Sequence, residues 1–412
     1  MTNNNMRDIK KNLSIVFLIV LIDVIGFGII IPLTPYLVSS LGKDAFSIGL
    51  LMAIYPFMQF IFAPVWGRLS DKYGRRPFLL LSLFGSVLAH TLFAVSTTYT
   101  FLFIARALAG FFGASISSAM AYIADISDAK DRTKRMGFIG AAFGLGFVLG
   151  PALGGGFGVL GQSLGSTPPF GQQFAALMAG VICLFNFIFA FFFLEESLVN
   201  LKKEEKFTIK DLFRNTKFLT IIESLKLPTI GKLLFIGWMF SLAMVHMEVS
   251  LFLLMKERFH WSLLQSSMGF AYIGLIMVIS QGGLIKILVP IFGESKLLFI
   301  GLVFSALSLV GIAFSYSLIP LVISITILGF AYSFFNPAFN GSLSLLSKQS
   351  EQGERLGLSQ SMSSLGRIVG SVLAGWLYAN YGMESPFLSG AFYILIAIFI
   401  YKKIHLHLPG KK

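Results

Sequence analysis

Residues 66–85 read WGRLSDKYGRRPFLLLSLFG. Two apolar runs, 46–66 and 77–96, meet here across a short link that holds Arg68, Asp71, Lys72, Arg75 and Arg76. A membrane-crossing helix needs about 20 mostly apolar residues. The link therefore reads as the turn of a helical hairpin whose two arms return to one membrane face. Outward from it, further apolar runs fall at 13–38, 99–123, 136–158 and 174–194. Six more follow at 231–255, 264–289, 296–315, 318–342, 357–379 and 385–402. The expected fold is an all-α polytopic membrane protein with twelve transmembrane helices in two pseudo-symmetric six-helix bundles. Residues 1–194 would form the N-terminal bundle, 195–230 a cytoplasmic linker and 231–412 the C-terminal bundle. Within the linker, FTIKDLFRN (207–215) could form a short amphipathic helix on the membrane surface.

Composition supports this reading. Of 412 residues, 56% are hydrophobic and 12% charged. Soluble domains carry about 25% charged residues, so this chain cannot clothe a water-facing surface of its size. The net charge of +13 arises from 32 basic and 19 acidic residues. A basic balance can mark nucleic-acid binding, but cytoplasmic loops of membrane proteins carry the same excess. Alternate links hold Arg68, Lys72, Arg75 and Arg76, then Lys130, Arg132, Lys134 and Arg135, and later Lys402 and Lys403. The opposite side holds only Lys43, Lys256 and Arg258. This bias places both termini in the cytoplasm. Cys183 is the single cysteine, so no intrachain disulfide can form. No GxxxxGK[ST], HExxH or CxxC pattern occurs. Those absences argue against ATP-driven transport and against an enzyme, and no cofactor or metal is expected.

A weaker copy of the opening stretch appears as QGGLIKILVPIFGESKLLFIG (281–301). Gly, Leu, a second Gly, a basic residue and a Leu-rich exit recur in order, with an insertion and without the acid. Internal repeats of this scale are typical of secondary transporters.

Four buried charges and two glycine motifs carry the functional reading. In GRLSDKYGRRP (67–77), Gly67 would let two helices approach and Gly74 would permit a tight reversal. Arg75 and Arg76 would anchor the loop in the cytoplasm, and Pro77 suits a first helical turn. In GFVLGPALGG (146–155), Gly146 and Gly150 share one helix face and Pro151 bends the helix. Asp23 lies mid-way along the first span, where an acid costs about 2.5–3.5 kcal/mol on insertion scales. Arg106, in the fourth, is its candidate partner. Glu248 is the one acid inside a span of the second half. There, desolvation penalises the charged carboxylate, which can trade its charge for a proton. His246 sits about 200° away on the same helix, facing other surroundings. Arg367 could pair with Glu248 or simply sit near a cytoplasmic helix end. Gln59, His90, His246, Gln265, Asn336, Asn340, Gln360 and Arg367 are candidates to line a substrate cavity, with helix packing as the competing reading for the histidines.

GRLSDKYGRRP resembles the signature between spans 2 and 3 of the major facilitator superfamily. The resemblance implies that Asp71 is a conformational latch, acting with Gly67, Gly74, Arg75 and Arg76. Gly146, Gly150, Pro151, Gly154 and Gly155 resemble the superfamily's antiporter signature. AYIADISDAKDRTKRMGF (121–138), with the span 1 and 67–77 stretches, resembles the tetracycline–proton antiporters of the twelve-span drug-exporter branch. That similarity adds Asp125 and Arg132 to the gating group. EQGERLGLSQSMSSLGRIVG (351–370) resembles the same family less tightly. The exporters carry an acid in span 3, where this chain has Ala89 and His90, a His in span 8 and an acid in span 9, both missing here. The resemblance implies proton-coupled export of a small, partly hydrophobic compound by alternating access. Asp23, Glu248 and Arg106 would couple protons. The expected partners are a small substrate, protons and the bilayer, without nucleic acid. The chain is expected to work as a monomer in the inner or plasma membrane. Transport of a sugar, lipid or other metabolite is the alternative.

Overall fold

The computed structural model describes residues 3–113, 115–126, 132–197, 225–347 and 352–408. Among them it contains thirteen α-helices and no strand. The first seven are α1 (Asn3–Ser40), α2 (Ala45–Tyr73), α3 (Arg75–Ala94), α4 (Tyr99–Phe112), α5 (Ser115–Asp125), α6 (Arg132–Leu164) and α7 (Phe174–Phe193). The remainder are α8 (Ile230–Arg258), α9 (Leu263–Ile279), α10 (Ile285–Ala313), α11 (Leu318–Leu346), α12 (Gln352–Tyr381) and α13 (Ser385–Ile404). The 207–215 stretch lies outside the described residues.

Helix is the only open-ended structure that satisfies every backbone group without water, and these sequences are apolar on all sides. Phe185, Phe192 and Ile319, for example, are each about 70% exposed, as lipid-facing residues are. Nine described stretches are long and apolar enough to cross a membrane. Three irregularities relate these nine to the twelve expected spans. The fourth span is divided at Gly113 into α4 and α5. The stretch Leu263–Ala313 holds two spans. A π-helical turn at Ser280–Leu284 joins α9 to α10, and Gly293 (φ 72°, ψ 163°) breaks α10. Ile285–Phe292 thus completes the eighth span, and Glu294–Ala313 is the ninth. Lastly, α12 is too polar to count as apolar yet has the length of a span.

The chain forms two compact units. The first comprises Met1–Gly42, Phe57–Asn215 and Ser262–Ala271. In it α1 packs along α6 and α7, while α3 packs on α7 and α4. Ile15, Val16, Ile19, Val20 and Val24 of α1 meet Leu79, Leu83, Tyr122 and Ala190 in its core. The antiporter-like glycines set the approach of α1 to α6. A Cβ on Gly150 would lie 2.7 Å from the Gly28 Cα, and one on Gly146 would lie 2.5 Å from Val24. Gly154 faces the Ile29 carbonyl, whereas Gly155 faces Leu264 and Ser267 of α9. Both residues of the Gly28–Gly150 pair must be glycine because backbone meets backbone there.

The second unit comprises Lys43–Pro56, Thr216–Trp261 and Tyr272–Lys412. Its central helix is α8, packed on α12 and α13, with α10 paired to α11. The apolar window of α8 is 94% buried, so a charge on it needs a protein partner. Arg258 ends α8 and is held on all sides. It donates to the Ala313 and Ser315 carbonyls, pairs with Glu384 and lies over the Tyr316 ring.

Candidate transport and gating sites

The loop between α2 and α3 is a single residue, Gly74, at φ 108° and ψ 154°. Only glycine adopts that conformation without strain. A one-residue loop leaves the first N–H groups of α3 without a local cap. Glu196, just beyond α7, supplies it. Its carboxylate accepts from Arg75 N (2.8 Å) and Arg76 N (3.1 Å). A negative charge also suits a helix N-terminus.

Arg75 is buried at this turn. Its guanidinium pairs with Asp71, donates to Asp125 at 3.0 Å and reaches the Ser70 hydroxyl at 2.8 Å. Neighbouring acids draw it inward and outweigh solvation. Arg76 donates to the Phe191 carbonyl and lies over that ring. Asp125 also accepts from Ser197, and Lys11 pairs with Glu195. A Cβ built on Gly67 would meet nothing within 4 Å among the described residues. Arg132 begins α6, but its side chain lies outside the described residues. Gly74→Ala is expected to cost about 1–3 kcal/mol, because alanine strains this backbone and meets the Glu196 carboxylate. Glu196→Gln keeps one of the two acceptor oxygens at this exposed site and is expected to cost only about 0.3–1 kcal/mol. Thermal unfolding of both variants in detergent measures the difference.

In the first unit, polar groups gather around α1, α3 and α4. Ser86 donates to Asp23 Oδ1 at 3.1 Å. His90 is buried and within electrostatic reach of both Asp23 and Arg106. Its ring nitrogens face two carbonyl oxygens, Ser86 O at 2.7 Å and Gly26 O at 3.2 Å. Carbonyls only accept, and a neutral imidazole donates from one nitrogen, so both bonds form fully only when the ring carries two protons. Arg106 is 4% exposed, with its guanidinium over the Phe27 ring. Phe27 in turn meets Phe147 of α6 edge-on.

In the second unit, Glu248 of α8 and Arg367 of α12 form a two-pronged ion pair. The distances are 2.8 Å and 3.3 Å. Tyr332 of α11 lies within electrostatic reach of Glu248, and Tyr55 of α2 within reach of Arg367. One wall is aromatic, with Phe240 stacked on Phe335 at 3.6 Å and edge-on to Tyr332. The structure thus decides for the pairing role of Arg367.

Other cavity candidates separate. His246 is fully buried, bonded to the Leu242 carbonyl and edge-on to Tyr393 of α13. It packs two helices rather than lining a cavity, as its 200° offset from Glu248 requires. Gln265 is also corrected. It forms a capping box at the start of α9, with Ser262 N donating to its Oε1 and its own N donating to Ser262 Oγ. Gln59 donates to the Gly113 carbonyl at the break between α4 and α5. Asn336 is half-buried, and Asn340 and Gln360 are exposed.

Comparison with known proteins agrees with this architecture. The family model described as the Major Facilitator Superfamily matches residues 16–291 and 283–411. A class H tetracycline resistance protein of Pasteurella multocida is 30% identical over 384 residues, covering 90% of each chain. Multidrug resistance protein 2 of Bacillus subtilis (strain 168) is 27% identical over 389 residues, covering 93% of each. A crystal structure of a bacterial homolog to the human lysosomal transporter Spinster, inward-facing and unoccupied, matches the fold with a TM-score of 0.77. It shares 13% identity and covers 98% of each chain. With twelve spans, these motifs and these relatives, the chain belongs to the major facilitator superfamily, as a transporter akin to its tetracycline resistance proteins.

Proposed function

We propose that this transporter exports a small, partly hydrophobic compound in exchange for protons, by alternating access of two six-helix bundles. The observation that carries the reading is the Glu248–Arg367 pair, held on the most buried helix of its unit beside an aromatic wall. A proton on Glu248 removes the charge that holds Arg367 and opens the pair. A substrate group that engages either partner competes with that closed state. Each ligand then shifts the inward–outward equilibrium by its differential affinity for the two states. Asp23, His90 and Arg106 form the second charged group, in which Arg106 competes with the proton for a nearby carboxylate. Asp71, Arg75 and Asp125 act as the gating cluster, on the cytoplasmic side with both termini. The names of the resistance-protein relatives support export of a drug-like compound. The chain works as a monomer in the cell membrane, with residues 195–230 linking the bundles.

Proteoliposomes with imposed substrate gradients and an internal pH dye test the coupling. The native chain is expected to move protons against substrate. Asp23→Asn is expected to keep substrate binding but lose proton movement. Full coupled flux in that variant would exclude Asp23 from the proton path. Proton movement in the same direction as substrate would overturn antiport.

A further inference from the structure

A cavity of about 500 Å³ lies in the second unit, apart from the Glu248–Arg367 pair. It is lined by Asp44, Phe46, Glu257, Trp376, Tyr378 and Asn380, together with Ala45 and Ala379. Glu257 follows Glu248 by nine residues on α8, about 13 Å farther along the helix axis. The cavity sits where α12 ends and α13 begins. Lys402 and Lys403 lie at the far end of α13, about 30 Å away along that helix. By the charge bias it therefore opens on the non-cytoplasmic side.

The lining has one electrostatic sign. Two residues are acids, none is basic, and three are aromatic. Lys43, Lys256 and Arg258, the basic chain neighbours of the acids, do not line it, and Arg258 is paired with Glu384. Asp44 accepts from the Ser47 hydroxyl and amide through one oxygen, Oδ1. Those bonds hold its carboxyl below the usual range, so it is charged at neutral pH. Glu257 is fixed through Oε2 by the buried Tyr378 hydroxyl at 2.8 Å. Each acid is thus held through one oxygen. The Trp376 ring is 42% exposed. Carboxylates beside exposed aromatic faces suit a cation with apolar substituents, which gains charge attraction and cation–π contact together.

We infer that this cavity binds an organic cation of the quaternary ammonium or phosphonium type at the non-cytoplasmic mouth. The choline headgroup of a lipid presents the same chemistry as a dissolved cation. The inference does not rest on export, because it is read by equilibrium binding.

Full-length protein in detergent is titrated with tetraphenylphosphonium, followed by tryptophan quenching. The chain has four tryptophans, and Trp376→Phe identifies the relevant signal. Saturable quenching that disappears in Trp376→Phe is expected. Asp44→Asn with Glu257→Gln keeps both acceptor roles, removes both charges and is expected to weaken binding about tenfold. Binding within twofold of native in that double variant would overturn the site. Equal quenching by neutral triphenylphosphine oxide would do the same. Displacement by short-chain phosphatidylcholine where free choline fails would assign the site to a lipid headgroup. Displacement by free choline alone would assign it to a dissolved cation.

Discussion

Glu248→Gln is expected to abolish proton-coupled transport and to destabilise the second unit. The carboxylate is the ion-pair partner of Arg367, and its side chain is 11% exposed. Glutamine removes the charge and leaves the Arg367 guanidinium without its counter-ion beside Tyr332. Truncating one partner of a buried pair costs about 3–5 kcal/mol. Arg367 keeps 30% exposure, which places the expected cost near the lower end. Thermal unfolding in detergent measures that part. The functional part is separated by Glu248→Gln with Arg367→Met, which removes both charges. The double variant is expected to recover most of the stability, because replacing a whole buried pair by neutral groups is close to neutral. It is not expected to recover coupled flux. Recovery of both would reduce the pair to a structural staple. Full coupled flux in Glu248→Gln alone would remove Glu248 from the coupling mechanism.

Gly150→Leu is expected to prevent accumulation of folded protein. Even Gly150→Ala places a methyl 2.7 Å from the Gly28 Cα and 2.9 Å from its carbonyl carbon. Both are backbone atoms, so no side chain can swing away. Overpacking of one methyl costs about 1–3 kcal/mol, and a leucine cannot fit without parting α1 from α6. Gly156→Ala is the control on the same helix. A Cβ there meets nothing within 4 Å among the described residues, and the variant's melting temperature is expected to match the native chain. Expression level and thermal unfolding of the three variants check the order. Equal melting temperatures for Gly150→Ala and Gly156→Ala would show that α1 and α6 do not pack through this contact.

The spans were legible because an apolar run of sufficient length has few other fates, and the charged links between runs set their ends. Asp23, Arg106, Glu248 and Arg367 were legible for the same reason, since charges are scarce in such runs. Their partners were harder to read. Glu248 and Arg367 are 119 residues apart, and nothing local ties one to the other. Glu196 was missed altogether. Its carboxylate caps a helix that begins 121 residues earlier, a need visible only once the loop proves to be one residue long. Gln265 is different, because its signal was local. Ser262, two leucines and Gln265 spell a capping box just before an apolar run, yet a polar residue near a span invited a cavity reading. Ser280–Leu284 shows a third limit. A π-helical turn has the same residue content as an α-helical one, so hydropathy cannot distinguish them.

The glycine reversals have a mechanical consequence. Gly74 turns the chain with φ 108°, and Gly293 turns the second copy of the same stretch with φ 72°. At both places one residue separates the end of one helix from the start of the next. Proteolytic nicking favours exposed loop tips with chain to spare, and neither reversal offers any. Digestion of the intact transporter would therefore leave spans 2 and 3 on one fragment, and spans 8 and 9 on another. Each such pair behaves as a single bent rod, which can tilt as a body but cannot lengthen.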